Sequence, residues 1–192
     1  MGLTISGGGG GANLTYQVQS SITLNAQLIP NCISGALSTL NIISNRCYSI
    51  PFILGMDYLC TKIAVEVTTP GALAEFYLGI YELDDDFMPL GAPIISSTAL
   101  SGTTTGLKTY ILGVAVQLNE NKKYSLAILS TVNIGVRAVI CLNRLGGSVG
   151  TPSLQGAMYE SLIPGYTSLP TSLIPTAIHL FVNQFGIALY RN

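Results

Sequence analysis

Residues 110–118 read YILGVAVQL, and an apolar side chain stands at every even position of this stretch. Successive side chains of a β-strand point to opposite faces, so a period of two is typical of a strand with one buried face. The stretch therefore predicts a long strand that buries one set of side chains: Tyr110, Leu112, Val114, Val116 and Leu118.

Comparable strand patterns occupy most of the remaining chain. They cover residues 14–28, 37–52, 62–69, 75–83, 124–131, 135–143 and 176–190. Turn-forming residues separate them at 70–71, 84–93, 101–106, 119–123 and 146–152. Only residues 155–162 have a pattern compatible with a short helix. Short strands at regular spacing predict an all-β chain, folded as an antiparallel sandwich or barrel.

The first 36 residues differ from the rest, so we predict an N-terminal arm and strand at 1–36 and one β-domain at 37–192. The arm begins with Leu3 and Ile5, and a run of five glycines follows: Gly7, Gly8, Gly9, Gly10 and Gly11. A glycine run has no side chains to pack, so it behaves as a flexible linker or lies extended against a partner. We expect these residues to anchor the chain on a partner; the alternative is a terminus with no role.

Charged residues are scarce. They make up 9% of the 192 residues, whereas hydrophobic residues make up 48% and the mean hydropathy is +0.51. An average soluble domain is about 25% charged, so we expect the surplus apolar surface to be buried between copies of the chain. No run of about 18 apolar residues predicts a membrane-spanning helix. The glycine run replaces the apolar core of a signal peptide, so we expect no export signal.

Net charge and cysteine spacing argue against two further classes of protein. The net charge is −1 and the basic residues are scattered, so we expect no nucleic-acid partner. Cys32, Cys47, Cys60 and Cys141 lie far apart, without the spacing of a metal site. We expect them to be small buried apolar residues, and a disulfide between two of them stays open.

Six segments carry a resemblance to a known family, in this order: 46–52 (RCYSIPF), 63–69 (IAVEVTT), 78–82 (LGIYE), 105–108 (TGLK), 123–127 (KYSLA) and 137–138 (RA). This order resembles the jelly-roll module of tailed-bacteriophage virion proteins, found in tail fibres, head fibres and capsid decoration. The similarity covers roughly residues 37–143 and extends weakly to the Pro-rich loop and the final strand. It implies a jelly-roll, two-sheet antiparallel β-sandwich in which Gly79 lies in a central strand and allows a neighbour to approach closely.

The chain departs from the module at two places. The module often has Trp at the position of Ser125, so an aromatic sugar-binding platform is not expected there. Its hairpin loop is usually Gly-rich, whereas this loop carries Asp84, Asp85 and Asp86. Calcium loops spread their carboxylates over alternate positions, so we interpret these residues as a solvated hairpin tip and expect no metal or cofactor.

No residue pattern indicates an enzyme. His179, the one histidine, lies in an alternating stretch without a nucleophile elbow, so we expect it in a packed surface or an interface. Glu66, Glu75 and Glu160 lack the recognisable setting of paired glycosidase carboxylates. Tyr159 and Tyr166 belong to the Pro-rich excursion at 151–175, which we interpret as an interface element or a binding loop.

These observations predict a non-enzymatic phage structural protein, located in the virion and made in the host cytoplasm. We expect a homotrimer that attaches to capsid or tail proteins through its N-terminal arm. One alternative is a receptor-binding fibre tip that recognises host surface polysaccharide through the acidic hairpin and the Pro-rich loop. A secreted carbohydrate-binding module is a further alternative.

Overall fold

The computed structural model describes residues 26–29, 37–54, 56–140, 158–165, 167–173, 177–179, 183–185 and 187–191. These residues form β-strands and no helix. The strands are β1 (Ala26–Ile29), β2 (Leu37–Ile42), β3 (Arg46–Ile53), β4 (Tyr58–Thr69), β5 (Glu75–Glu82), β6 (Ile95–Ser96), β7 (Leu100–Ser101), β8 (Gly106–Leu118), β9 (Lys123–Ser130), β10 (Ile134–Ile140), β11 (Met158–Leu162), β12 (Ala177–His179), β13 (Asn183–Phe185) and β14 (Ile187–Tyr190).

Two antiparallel sheets pack face to face, which confirms the predicted sandwich. Sheet A contains β1, β2, β4, β8, β10, β13 and β14, and sheet B contains β3, β5, β6, β7, β9, β11 and β12. Within them, four strands of sheet A follow the order β2–β10–β4–β8 and four of sheet B the order β3–β9–β5–β6. The chain crosses repeatedly between the sheets from β2 to β10, which is the strand order of a jelly-roll.

The core lies between the sheets and follows from alternation along each strand. Ile63, Val65 and Val67 of β4 point inward, and they pack in one buried cluster with Leu126 and Ile128 of β9 in sheet B. Further fully buried members of this intersheet core are Ile42, Ile50, Leu54, Cys60, Phe76, Leu78, Ile80, Leu118, Val136, Ile187 and Leu189.

Strand β8 departs from the predicted alternation at one residue. Tyr110, Leu112 and Val116 pack against the core as expected, but Val114 is 81% exposed. The register with β4 shifts at this point, because Cys60 pairs with Val116 whereas Lys62 pairs with Ile111. The extra residues of β8 form a bulge that turns Val114 outward, so its predicted burial is wrong.

The C-terminal region differs from its prediction in two ways. Residues 158–162, within the stretch expected to favour a helix, form β11, because they hydrogen-bond along β3 and this tertiary pairing overrides the local pattern. The predicted single strand at 176–190 is divided between the sheets. Strand β12 extends sheet B beside β11, whereas β13 and β14 belong to sheet A.

We call residues 158–191 the C-terminal arm. Its two last strands enter sheet A where β10 and β4 separate, since β13 pairs with Ala138–Ile140 of β10 and β14 pairs with Lys62–Val65 of β4. Strand β1, the described part of the predicted 14–28 strand, pairs with β14. The rest of segment 14–28 lies outside the described residues.

Candidate functional site

A trough of small residues crosses the outer face of sheet B. Ser49 of β3 pairs with Ala127 of β9, which in turn pairs with Gly79 of β5, so three small residues lie in one row. Larger side chains border the row on this face, notably Tyr77 and Tyr81 of β5. The face therefore has a shallow depression where most sheets carry bulky side chains.

Residues 163–173 of the C-terminal arm fill this trough. Ile163, Leu169 and Leu173 are buried in a second apolar cluster together with Cys47, Tyr77, Tyr81, Ala127 and Leu129. A Cβ atom placed on Gly79 would lie 2.3 Å from Cδ1 of Leu169 and 2.5 Å from the carbonyl oxygen of Ile95. The expectation that Gly79 permits a close approach is thus confirmed, and the neighbour is the arm itself.

One buried hydrogen bond fixes the arm over the trough. The Tyr81 hydroxyl donates to the carbonyl oxygen of Pro170 at 2.7 Å. Burial raises the pKa of Tyr81 far above its ordinary value, so the phenol keeps the proton that it donates. The described residues 163–165 and 167–173 therefore cover part of the outer face of sheet B.

Ser125 of β9 lies at the side of this trough, opposite Tyr81 of β5. Ser125 is 2% exposed, and its Oγ makes no hydrogen bond within the described part of the chain. Tyr77 and Tyr81 on the same face are covered as well. In this conformation the outer face of sheet B presents no open aromatic platform among the described residues.

Strand β8 forms a long apolar edge of sheet A. It pairs with β4 along one side, and no other described strand pairs with it. Leu107 and Ile111 project outward from it with 59% and 67% exposure, and Val114 projects from the bulge. Lys108 is its one charged residue and it contains no proline, so apart from this lysine and the bulge the edge has none of the features that usually protect an edge strand.

The acidic hairpin loop follows β5 at one end of the sandwich. Asp84 Oδ1 accepts hydrogen bonds from the backbone N–H groups of Asp86 and Met88 at 2.9 and 2.8 Å. Asp85 forms an ion pair with Lys123 at 2.8 Å, and that hydrogen bond and charge lower the pKa of Asp85. The carboxylates thus serve separate partners, and within the described residues no three His, Cys, Asp or Glu side chains form a metal-binding group.

The two ends of the sandwich differ in charge. The end with the acidic loop holds six of the nine acidic residues: Asp57, Glu82, Asp84, Asp85, Asp86 and Glu120. Hydrogen bonds from backbone N–H groups join its loops. The Glu120 N–H donates to the side-chain Oδ1 of Asp57, and the Asn121 N–H donates to the Leu54 carbonyl oxygen.

The opposite end consists of loops 43–45, 70–74, 102–105 and 131–133, which contain no charged residue. The Gly71 N–H donates to the Gly102 carbonyl oxygen, and the Ser44 N–H donates to Asn133 Oδ1 at 2.8 Å. Leu73 projects from this end with 88% exposure and a φ of 57°. An exposed Leu in the left-handed region is unusual and marks this turn as a candidate contact.

The remaining predicted residues do not join the acidic loop in one site. Tyr159 in β11 pairs with Ser49, and His179 in β12 pairs with Met158. Strands β12 and β11 lie at the edge of sheet B farthest from β6, separated from β5 by β3 and β9. Tyr166 and the predicted anchor at 3–11 lie outside the described residues, as do Cys32 and Cys141.

Two described cysteines and one described carboxylate have clear environments. Cys47 and Cys60 are free and buried, and burial raises the pKa of both thiols. Glu66 accepts two hydrogen bonds from Arg137, at 2.7 and 3.0 Å, which lower its pKa. Glu66 and Glu75 belong to different sheets, so they do not form a carboxylate pair.

Sequence reasoning missed the trough and its occupant. The available signal is an apolar residue directly before proline in Ile163-Pro164 and Leu169-Pro170, within the Pro-rich excursion at 151–175 that predicts an interface element or a binding loop. The small row Ser49, Ala127 and Gly79 is visible only when the register of three strands is known.

Comparisons with known proteins leave the family open. No protein-family model matches the chain, and no curated protein matches its sequence. The described residues contain no helix with the length and apolar character needed to cross a membrane.

Proposed function

We propose that this chain is a structural protein of a bacteriophage particle, that it assembles as a homotrimer without enzymatic activity, and that it attaches through its N-terminal arm. The observation that carries the self-assembly is the open apolar edge of β8. The jelly-roll strand order and the motif resemblance at 37–143 support the placement in a virion.

An edge strand exposes a row of backbone N–H and C=O groups that can pair with another chain. Strand β8 has 13 residues and carries Leu107, Ile111 and Val114 exposed. Self-association would remove these side chains and the open edge from water. In a closed ring of identical copies every such surface is paired, so the assembly cannot grow into an open filament.

The two ends of the sandwich support an orientation for this assembly. Desolvating a carboxylate is costly unless a partner compensates it, so the end with Asp84, Asp85 and Asp86 suits exposure to solvent. The opposite end carries no charge in its loops and presents Leu73. That end is suited to face the rest of the particle.

A receptor-binding fibre tip remains the second candidate, but the described residues support it less. A polysaccharide site commonly uses exposed aromatic rings. Here Tyr77 and Tyr81 lie beneath the arm. Binding of the intact protein to a host polysaccharide on a glycan array would favour this candidate over a purely structural role.

Light scattering after size exclusion tests the self-assembly. We expect the full chain to remain a trimer over a 100-fold dilution series. Ile111→Asp places a carboxylate on the β8 edge and should make the trimer dissociate at a higher protein concentration than the wild type. Leu73→Asp is the matched control, because it adds the same charge at an exposed Leu away from β8 and should leave the mass unchanged. A wild-type monomer would overturn the proposal.

A further inference from the structure

The C-terminal arm is an addition to a jelly-roll that is already complete. Strands β2 to β10 lie within residues 37–140 and supply the jelly-roll strands of both sheets. The arm then contacts this core at three places. Strand β11 pairs with β3, residues 163–173 fill the trough, and β13 and β14 pair with β10 and β4.

The connection between core and arm is long. Strand β10 ends at Ile140 and β11 begins at Met158, so residues 141–157 join them. A chain of this length can span up to about 56 Å when extended. A domain of about 150 residues has a radius of gyration of only about 15 Å. The connection can therefore reach the arm's position on its own core or the same position on an adjacent copy.

The trough and the edge of β3 fit this particular sequence. Gly79 leaves space for Leu169, Tyr81 donates to the Pro170 carbonyl oxygen, and Cys47 lies opposite Ser161. A second copy of the chain necessarily carries the same arm. Exchange between copies would keep all of these contacts, because each neighbour supplies the same arm sequence.

We propose that the C-terminal arm is exchanged between copies, so that residues 158–191 of one chain complete the trough and both sheets of its neighbour. This inference rests on the proposed self-assembly at the β8 edge and adds the arm as a second connection between the copies. Strand β1 strengthens the connection, since it pairs with β14. After exchange, β14 of one copy lies between β1 and β4 of another.

The native Cys47 provides a direct test. Cys47 pairs with Ser161 across β3 and β11, and directly opposed residues of antiparallel strands have Cα atoms about 4.5–5.5 Å apart. This spacing suits a disulfide. Ser161→Cys in a chain that also carries Cys32→Ser and Cys141→Ser therefore links core to arm on oxidation with diamide. Exchange predicts covalent trimers and dimers on a non-reducing gel, whereas an arm bound to its own core gives single chains.

Leu129→Cys is the matched control in the same background. Leu129 of β9 also pairs with Cys47 of β3, but both residues belong to the jelly-roll within residues 37–140 and neither belongs to the arm. Its disulfide must form within one chain, and it shows where a linked single chain migrates. A Ser161→Cys protein that migrates with this control at every concentration overturns the exchange. A protein that forms no disulfide contradicts the β3–β11 register on which the exchange depends.

A mixing experiment tests the exchange without relying on the mobility of the protein on a gel. A chain with Cys47→Ser and Ser161→Cys is co-expressed with a differently tagged chain that keeps Cys47 and Ser161. A disulfide between the two tags forms only when an arm lies on a neighbouring core. An oligomer by light scattering without such a link means that the copies assemble without exchange, whereas a monomer means that the proposed assembly itself fails.

Discussion

The hydroxyl of Tyr81 donates a hydrogen bond to the carbonyl oxygen of Pro170, 89 residues further along the chain. This 2.7 Å contact joins a central strand of sheet B to the segment that covers it. It connects the jelly-roll core to the C-terminal arm, and it lies two residues along β5 from Gly79, where Leu169 leaves no room for a Cβ atom.

We expect Tyr81→Phe to lower the free energy of unfolding by about 1 kcal/mol, because it removes one buried hydrogen bond and leaves the Pro170 carbonyl without its donor. Urea unfolding followed by tyrosine fluorescence measures the change. Tyr110→Phe is the control, since the half-buried Tyr110 hydroxyl makes no hydrogen bond within the described residues. Equal losses in both variants would contradict a stabilising role for the Tyr81 bond.

Gly79→Ala should destabilise the protein by about 1–3 kcal/mol, because the new methyl group overlaps Leu169 and the Ile95 carbonyl oxygen. Gly113→Ala serves as the control. No heavy atom lies within 4 Å of a Cβ at Gly113, so this change should stay within about 0.5 kcal/mol. Denaturant midpoints of the two variants decide the question, and a tolerated Gly79→Ala would mean that the arm does not press on β5.

The Glu66–Arg137 pair predicts a dependence of stability on pH. Arg137 lowers the pKa of Glu66 below its ordinary 4.5, so the pair stabilises the fold above that pH and the effect disappears as pH falls through the folded-state pKa. The side chains are 41% and 35% exposed, and the effect should therefore remain below about 1 kcal/mol.

Thermal unfolding of wild type and Glu66→Gln between pH 3 and pH 7 measures this effect. The two melting temperatures should differ at pH 7 and converge at low pH. In an Arg137→Met background the same Glu66 substitution should have no pH-dependent effect, because the partner charge is gone. A difference that persists in that background would assign the pH dependence to another group.

Cysteine alkylation separates opening of the arm from global unfolding. Cys47 lies beneath the arm, whereas Cys60 lies in the intersheet core. Burial raises the pKa of Cys60 to about 11 and that of Cys47 further, and since only thiolates react readily, both should label slowly in the native state.

We expect Leu169→Ala to accelerate labelling of Cys47 by iodoacetamide without changing the rate at Cys60, because it loosens the arm and leaves the core intact. Mass spectrometry of each modified peptide gives the rates, in a background without Cys32 and Cys141. Leu126→Ala, which opens a cavity in the intersheet core, should accelerate both. Parallel rates in Leu169→Ala would mean that the arm and core unfold together.

Local alternation predicted most of the jelly-roll from the sequence. Strands such as β4 and β9 carry apolar residues with period two and end at turn-forming residues. They can therefore be recognised from the local sequence, without knowledge of the strands that pair with them. Val114 shows that local alternation alone can predict the wrong face for a residue. Its neighbours predict burial, but the shifted register with Cys60 and Lys62 turns it outward, and register depends on a strand that is distant in the sequence.

The C-terminal arm could not be predicted for the same reason. Residues 158–162 favour a strand only because the edge of β3 lies beside them. Leu169 is buried only because Gly79, Ala127 and Ser49 form a depression across three strands. Of the candidate residues, Asp84 was correctly assigned to a hairpin tip, and its bonds to the Asp86 and Met88 N–H groups explain that turn.

The pairing of β1 with β14 has a mechanical consequence. Tension applied to the chain ahead of Ala26 first loads the four residue pairs that join Ala26–Ile29 to Ile187–Tyr190. When those pairs separate, the chain between Ala26 and Leu37 can extend to at most about 36 Å before β2 bears the force. We therefore expect β1 to yield first under such a load and to pair again with β14 when the load is removed, while the sandwich stays folded.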